Sequence, residues 1–209
     1  MTEIDFYEKG YFVTTLPEEI QSKLWRLAYT TEWVEKEHAT HLQYPTEYIR
    51  VPKWHPEIVT GKAQPHNQNH YYGSKDIDQH PAELVEVAND IINLKIFDVI
   101  KNYRNPSLKY LTMWNGSGQL PWHSDIHDST DMIVLTYLTE EQTWDESWGG
   151  TIELRKQLNE EQLYYNKLYP MTGVMIVLNN NNPLMQHQVT AMLNKEINRY
   201  TFNFCYLWN

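Results

Sequence analysis

Apolar positions divide this chain into two unlike parts. Upstream of residue 107 the pattern is helical in two places. Ile20, Leu24, Leu27 and Ala28 recur three or four residues apart after Pro17, and Glu18 and Glu19 place carboxylates in the first turn, where they complement the positive helix end. A second helix is expected after Pro81. It carries Leu84, Val85, Ala88, Ile91, Ile92, Ile96, Val99 and Ile100 at helical spacing and should end near Tyr103, before Asn105-Pro106. A strand is expected within Gly10–Thr15. Residues 36–80 are different in kind, being polar and rich in His, Pro, Gln and Asn. So long an irregular stretch points to a lid or binding loop, with room for a short strand at Tyr48–Val51.

Downstream of Ser107 the period changes to two. Strands are predicted near 108–114, 120–125, 131–139, 150–154, 173–178, 186–191 and 198–207. Seven or eight antiparallel strands in about 100 residues imply a jelly roll. The expected fold class is therefore mainly β with flanking helices, a double-stranded β-helix whose two helices pack outside one sheet. No repeat or linker divides the chain, so 1–209 is expected to be one domain. Residues 1–107 would supply N-terminal strands, helices and the lid loop, and 108–209 the jelly-roll core.

Composition narrows the partners. With 209 residues, 41% of them hydrophobic, and 21% charged, the chain suits one domain with a full core. A formal net charge of −10 argues against nucleic acid, whose phosphates call for a basic surface. The single cysteine, Cys205, excludes an internal disulfide and suits a reducing compartment. No leader pattern and no apolar run of about 18 residues is present, so a soluble cytoplasmic protein with no membrane partner is expected.

Candidate chemistry gathers around Trp122-His123-Ser124-Asp125. On an extended segment His123 and Asp125 point the same way, so one strand end can offer an imidazole and a carboxylate to a single ion. His187, between Val174–Leu178 and Val189, is the best-placed third ligand. Two histidines and a carboxylate leave coordination positions open, which suits iron(II) and oxygen better than a closed zinc site. Further on, Arg199, Thr201 and Asn203 share one strand face while Tyr200, Phe202, Phe204 and Tyr206 share the other. A guanidinium there could meet a dicarboxylate through paired hydrogen bonds. Bland readings stand beside these. His123 and Asp125 alone read as an exposed turn pair, His187 as a core histidine and Tyr137 as a core tyrosine. Periodicity does not choose between interior and solvent for Arg199. The pairs His38/His41 and His66/His70 lack a completing ligand, and His127 reads as an exposed loop residue.

In order, Tyr110–Gly118, Trp122–Asp125, Ile133–Leu138, Gly149–Leu154, His187–Thr190 and Arg199–Thr201 carry a pattern of known type. Across residues 108–208 the chain resembles the iron(II)/2-oxoglutarate-dependent oxygenases, and within them the prolyl 4-hydroxylase-like branch. The branch usually has tyrosine where Trp114 stands, and the gap from His187 to Arg199 is slightly longer than usual. The resemblance implies Fe(II) held by His123, Asp125 and His187, which would also be the catalytic centre. It implies 2-oxoglutarate held by Arg199 with Tyr137, Trp114 and Thr201, O2 as oxidant, and ascorbate as an auxiliary reductant. It implies hydroxylation of an unactivated C–H bond, with succinate and CO2 as coproducts and a prolyl residue in a peptide or protein as substrate. Retention of Asp125 favours hydroxylation over halogenation, since related halogenases omit that ligand. An acidic enzyme would suit a basic partner. Arg50, Tyr48, Tyr71 and Tyr72 in the long polar region are the expected substrate contacts. The alternatives are a hydroxylase of a free amino acid or other small molecule, and a non-catalytic jelly-roll binding module.

Overall fold

The computed structural model describes residues 5–36, 49–54, 80–101, 106–116, 119–125, 130–157, 163–182, 184–194 and 196–208. Two antiparallel sheets face each other. The larger runs β1 (Tyr11–Thr15), β9 (Val174–Asn179), β6 (Met132–Leu138), β11 (Tyr200–Trp208), β4 (Pro106–Gly116), β3 (Ile49–Pro52) and β2 (Trp33–Lys36) across its width. The smaller runs β5 (Leu120–His123), β10 (Met185–Val189), β7 (Ile152–Gln157) and β8 (Leu163–Leu168). This is the expected jelly roll.

Strand alternation explains why two cores exist. On β11, Tyr200, Phe202, Phe204 and Tyr206 point outward to meet Leu24 and Leu27 of α1 (Glu18–Thr30) and Leu84, Ala88 and Ile91 of α2 (Ala82–Ile92). Burying each such aromatic is worth roughly 1.5–3 kcal/mol, so this face fixes the helices on the sheet. The Tyr206 hydroxyl adds a bond to the Ala88 carbonyl at 2.8 Å. The two helices are bridged at their rims by Lys23 to Glu86 and Asp90 and by Arg26 to Glu83, exposed pairs that contribute little. The other face of the large sheet looks into the roll. There Ile133, Leu135, Tyr137 and Cys205 pack against Ile152, Leu154 and Met185 of the small sheet.

Several expected elements differ in extent. The second helix stops at Ile92 instead of near Tyr103. Asn93 caps it, its N–H reaching the Asn89 carbonyl at 3.1 Å, and Leu94 turns extended before a 3-10 turn over Lys95–Phe97 and a short helix over Asp98–Lys101. The apolar repeat continues across this break because Phe97 and Ile100 enter the same core. Two strands were not expected, β2 and β8. Both are edges of their sheets, where one-sided pairing leaves weak alternation.

Candidate metal centre and cosubstrate pocket

His123 ends β5 and Asp125 follows it on the same side, while His187 lies directly across on β10, the two histidines being register partners. Both histidines turn into the roll. His187 also pairs with Leu154, an interior residue of β7. Their rings stand 4.1 Å apart between centroids at 54°. His123 Nε2 lies 3.3 Å from Asp125 Oδ1, and His187 Nε2 lies 3.4 Å from Asp125 Oδ2. The three ligand atoms fall within 4.8 Å of one another.

The electrostatics of this trio call for a cation. The His123 Nδ1 lies 2.7 Å from the Pro121 carbonyl, so Nδ1 carries the proton and Nε2 presents its lone pair inward. His187 is 4% exposed, and burial pushes its imidazole down to about 4, Asp125 opposing that fall and His123 adding to it. It is neutral at physiological pH. Its Nδ1 is buried without a hydrogen-bond partner among the described residues. Lone pairs and a carboxylate therefore converge on one point, an arrangement that a divalent ion relieves. Two imidazoles and one carboxylate on one side of an ion leave the remaining positions open, which fits iron(II).

Deeper in the roll, Arg199 precedes β11 and is 1% exposed. Its guanidinium donates to the Gly150 carbonyl at 2.8 Å and to the Gly116 carbonyl at 3.0 Å. Those two carbonyls fix the plane of the fork. Gly150 has φ +68, and a Cβ there would stand 3.0 Å from Arg199 Nη1. The close approach of backbone to guanidinium is thus what the second glycine of Gly149-Gly150 permits. Thr201 and Tyr137 are register partners on β11 and β6, so both hydroxyls face the same interior. Burial pushes the Tyr137 phenol up to about 12, Arg199 opposing it, so it remains a neutral donor. The Thr201 Oγ1 is buried with no partner among the described residues. A guanidinium, a phenol and an unused hydroxyl, all buried, are groups that could bind a carboxylate.

The other sequence expectations divide. Trp114 is placed by register opposite Thr201, and its side chain lies outside the described residues, as do Tyr48, Tyr71, Tyr72 and His127. Arg50 is exposed and sits in register with Asn115, itself the partner of outward-facing Tyr200, whose phenol it influences. The structure brings Arg50 to the outer face and not to the metal-ligand group. On β7, next to interior Leu154, Arg155 lies 4.1 Å over the Trp122 ring and donates from Nε to Gln186 at 2.9 Å. Asn180 was not among the expected site residues. This buried residue donates from Nδ2 to Thr130 Oγ1 at 2.8 Å and to the Asp125 carbonyl at 3.4 Å. The only signal was the run Asn179-Asn180-Asn181-Asn182 ahead of His187.

Comparisons with known proteins bear on the family and the fold. The family model of the 2OG-Fe(II) oxygenase superfamily matches residues 108–207. No curated protein matches the chain. Among solved structures, a prolyl-4-hydroxylase from Pseudomonas putida superposes with TM-score 0.51 at 13% identity, covering 98% of this chain and 96% of its own. A prolyl hydroxylase from Trichoplax adhaerens, in complex with a hypoxia inducible factor peptide fragment, gives 0.52 at 13% identity over 97% and 86%. HygX from Streptomyces hygroscopicus, with nickel, 2-oxoglutarate and hygromycin B bound, gives 0.58 at 11% identity over 99% and 87%. At such identities these likenesses speak to the fold. Residues 108–207 carry the domain of the 2OG-Fe(II) oxygenase superfamily.

Proposed function

We propose that this oxygenase hydroxylates an unactivated C–H bond of a prolyl residue in a peptide or protein, consuming 2-oxoglutarate and O2 and releasing succinate and CO2. The observation that carries the oxidative reading is the convergence of His123, Asp125 and His187 ligand atoms within 4.8 Å. The prolyl reading rests on the order of motifs across 108–208, which resembles the prolyl 4-hydroxylase-like branch. Bound iron would supply the activation of O2, one oxygen atom entering the substrate and the other the succinate.

The protein's own residues hold and orient. The Pro121 carbonyl keeps the His123 lone pair directed inward. Burial keeps His187 unprotonated, so a ligand is ready at neutral pH. Arg199, already flattened against Gly150 and Gly116, would receive the remote carboxylate of 2-oxoglutarate, with Thr201 and the neutral Tyr137 phenol donating beside it. The apolar walls from Ile133, Leu135, Ile152 and Leu154 exclude water from that pocket. Ascorbate would serve as the reductant that keeps the iron ferrous. Tyr48, Tyr71 and Tyr72 remain our proposed substrate contacts, and Arg50 is withdrawn from that set. The single cysteine, buried Cys205, suits a reducing cytoplasm, and no described helix is long and apolar enough to cross a membrane.

Incubation with Fe(II), 2-oxoglutarate and ascorbate, with proline-containing peptides and free amino acids in parallel, tests the substrate class. Mass spectrometry should show one added oxygen on a peptide proline. Oxygen on a free amino acid would instead establish the small-molecule reading. Turnover of 2-oxoglutarate with neither product would remove both.

A further inference from the structure

The turn between β9 and β10 spends its asparagine side chains on other segments. Asn179 Nδ2 reaches the Phe6 carbonyl at 3.4 Å and Asn182 Nδ2 the Tyr7 carbonyl at 3.2 Å. Exposed Asn181 donates to Asp131 Oδ1 at 2.9 Å. Asn179 and Asn180 are both buried, at 5% and 3% exposed, and of the two it is Asn180 that bonds toward Asp125. Its Nδ2 donates to Thr130 Oγ1 at 2.8 Å and to the Asp125 carbonyl at 3.4 Å, while its backbone N–H holds the Asp131 carbonyl at 3.0 Å. The carbonyl acceptor settles which end of the carboxamide is nitrogen.

One amide therefore bridges the two ends of the connection that leaves Asp125 and returns at Thr130. The same turn leads through Leu184 into Met185, the first residue of the strand that carries His187. Asn180 Oδ1 meanwhile is buried with no partner among the described residues. A half-satisfied carboxamide is a costly way to close a turn, since a buried acceptor left unpaired destabilises the fold. The Nδ2 end offsets that cost by tying together the backbone at Asp125 and the side chain of Thr130.

We infer that Asn180 is a positioning residue for the metal centre, holding the backbone on which Asp125 is mounted in register with the turn that delivers His187. The inference rests on the proposed metal reading. A ligand carboxylate on an unbraced loop end would sample other orientations, and each excursion lowers affinity for an ion held by only three side chains. Partners that orient metal ligands typically matter by about 10–100-fold in metal affinity.

The test uses the full-length metal-free protein and cobalt(II) as a spectroscopic stand-in for iron, with thermal unfolding measured alongside. Wild-type protein should bind one cobalt with visible ligand-field bands. Asn180→Ala should bind about 10-fold more weakly or worse. Asn181→Ala, on the same turn but with its side chain donating to Asp131, should keep its affinity within roughly 2-fold even where its melting point falls comparably. Should Asn180→Ala fail to fold, Thr130→Val removes one acceptor at nearly constant volume and should weaken cobalt by about 3-fold. Unchanged affinity in Asn180→Ala or, where that variant does not fold, in Thr130→Val would overturn the inference. So would an equal loss in Asn181→Ala. Failure of the wild-type chain to bind cobalt would overturn the metal reading and this inference together.

Discussion

The Nδ1 of His123 sits 2.7 Å from the carbonyl oxygen of Pro121, two residues upstream on the same strand. This contact decides the tautomer, and with it which nitrogen can bind a metal. It also shows how little machinery the site needs. Proline donates no N–H, but its carbonyl still accepts the imidazole proton of the residue two positions on.

Arg199 should control the cosubstrate and leave the metal alone. Arg199→Ala should raise the apparent 2-oxoglutarate requirement by about one to two decades, since a charge-assisted pair is worth roughly 1.5–3 kcal/mol. Arg199→Lys should recover only part, because an ammonium cannot reproduce the fork. Both variants also leave the Gly150 and Gly116 carbonyls short of their donor, so a lower melting point is expected. Titration of succinate formation against 2-oxoglutarate and against iron separates the two requirements. An unchanged 2-oxoglutarate requirement would contradict the assignment.

Gly150 should behave as part of the same pocket. An added methyl would press on Arg199 Nη1 from 3.0 Å, at a φ of +68 that side chains rarely adopt. Gly150→Ala should raise the 2-oxoglutarate requirement about 10-fold, with cobalt affinity preserved. Gly149→Ala would collide with the Ala191 carbonyl oxygen and should chiefly lower stability. Indistinguishable profiles for the two variants would show that Gly150 acts on the fold alone.

The strand half of this molecule was legible because β11 alternates aromatic with polar positions, while β6 is a short apolar run buried along its whole length. The facing of Arg199 was not legible, since Thr201 and Asn203 are as polar as a solvent-exposed row. The interior is recognisable only once Tyr137 and Thr201 are seen in register. Edge strand β8 escaped because Leu163 and Tyr165 are exposed, which blurs its alternation. The helix break at Asn93 escaped because Phe97 and Ile100 re-enter the core and preserve an apparent helical period. Asn180 could not be found from pattern at all. Its partners lie about 50 residues away, at Asp125 and Thr130.

Acid should weaken the metal-free fold through His187. Its folded-state value of about 4 lies below the ordinary 6.5. Between those values the unfolded chain takes up a proton that the folded one refuses, so stability is full above 6.5 and falls as pH drops toward 4. The loss approaches about 3 kcal/mol by pH 4. Denaturant midpoints at pH 7 and pH 4.5 should therefore differ less for His187→Gln than for the wild type. Equal differences would assign the acid sensitivity to other groups.

Tyr72, in the long polar region, should act on the substrate and not on the iron. Tyr72→Ala is expected to weaken substrate-coupled turnover while sparing the slow decarboxylation of 2-oxoglutarate that occurs without substrate. Equal loss of both activities would point to a structural role, and loss of neither would take Tyr72 out of substrate recognition.

The central claim is that His123, Asp125 and His187 hold the iron at which 2-oxoglutarate is consumed. The most direct test is succinate formation by wild type and Asp125→Ala, both shown to be folded by circular dichroism, at saturating Fe(II) and 2-oxoglutarate in air. Wild type should form succinate, and Asp125→Ala, lacking the one carboxylate of a three-ligand site, should form none above background. Near-normal succinate formation by Asp125→Ala would contradict the account.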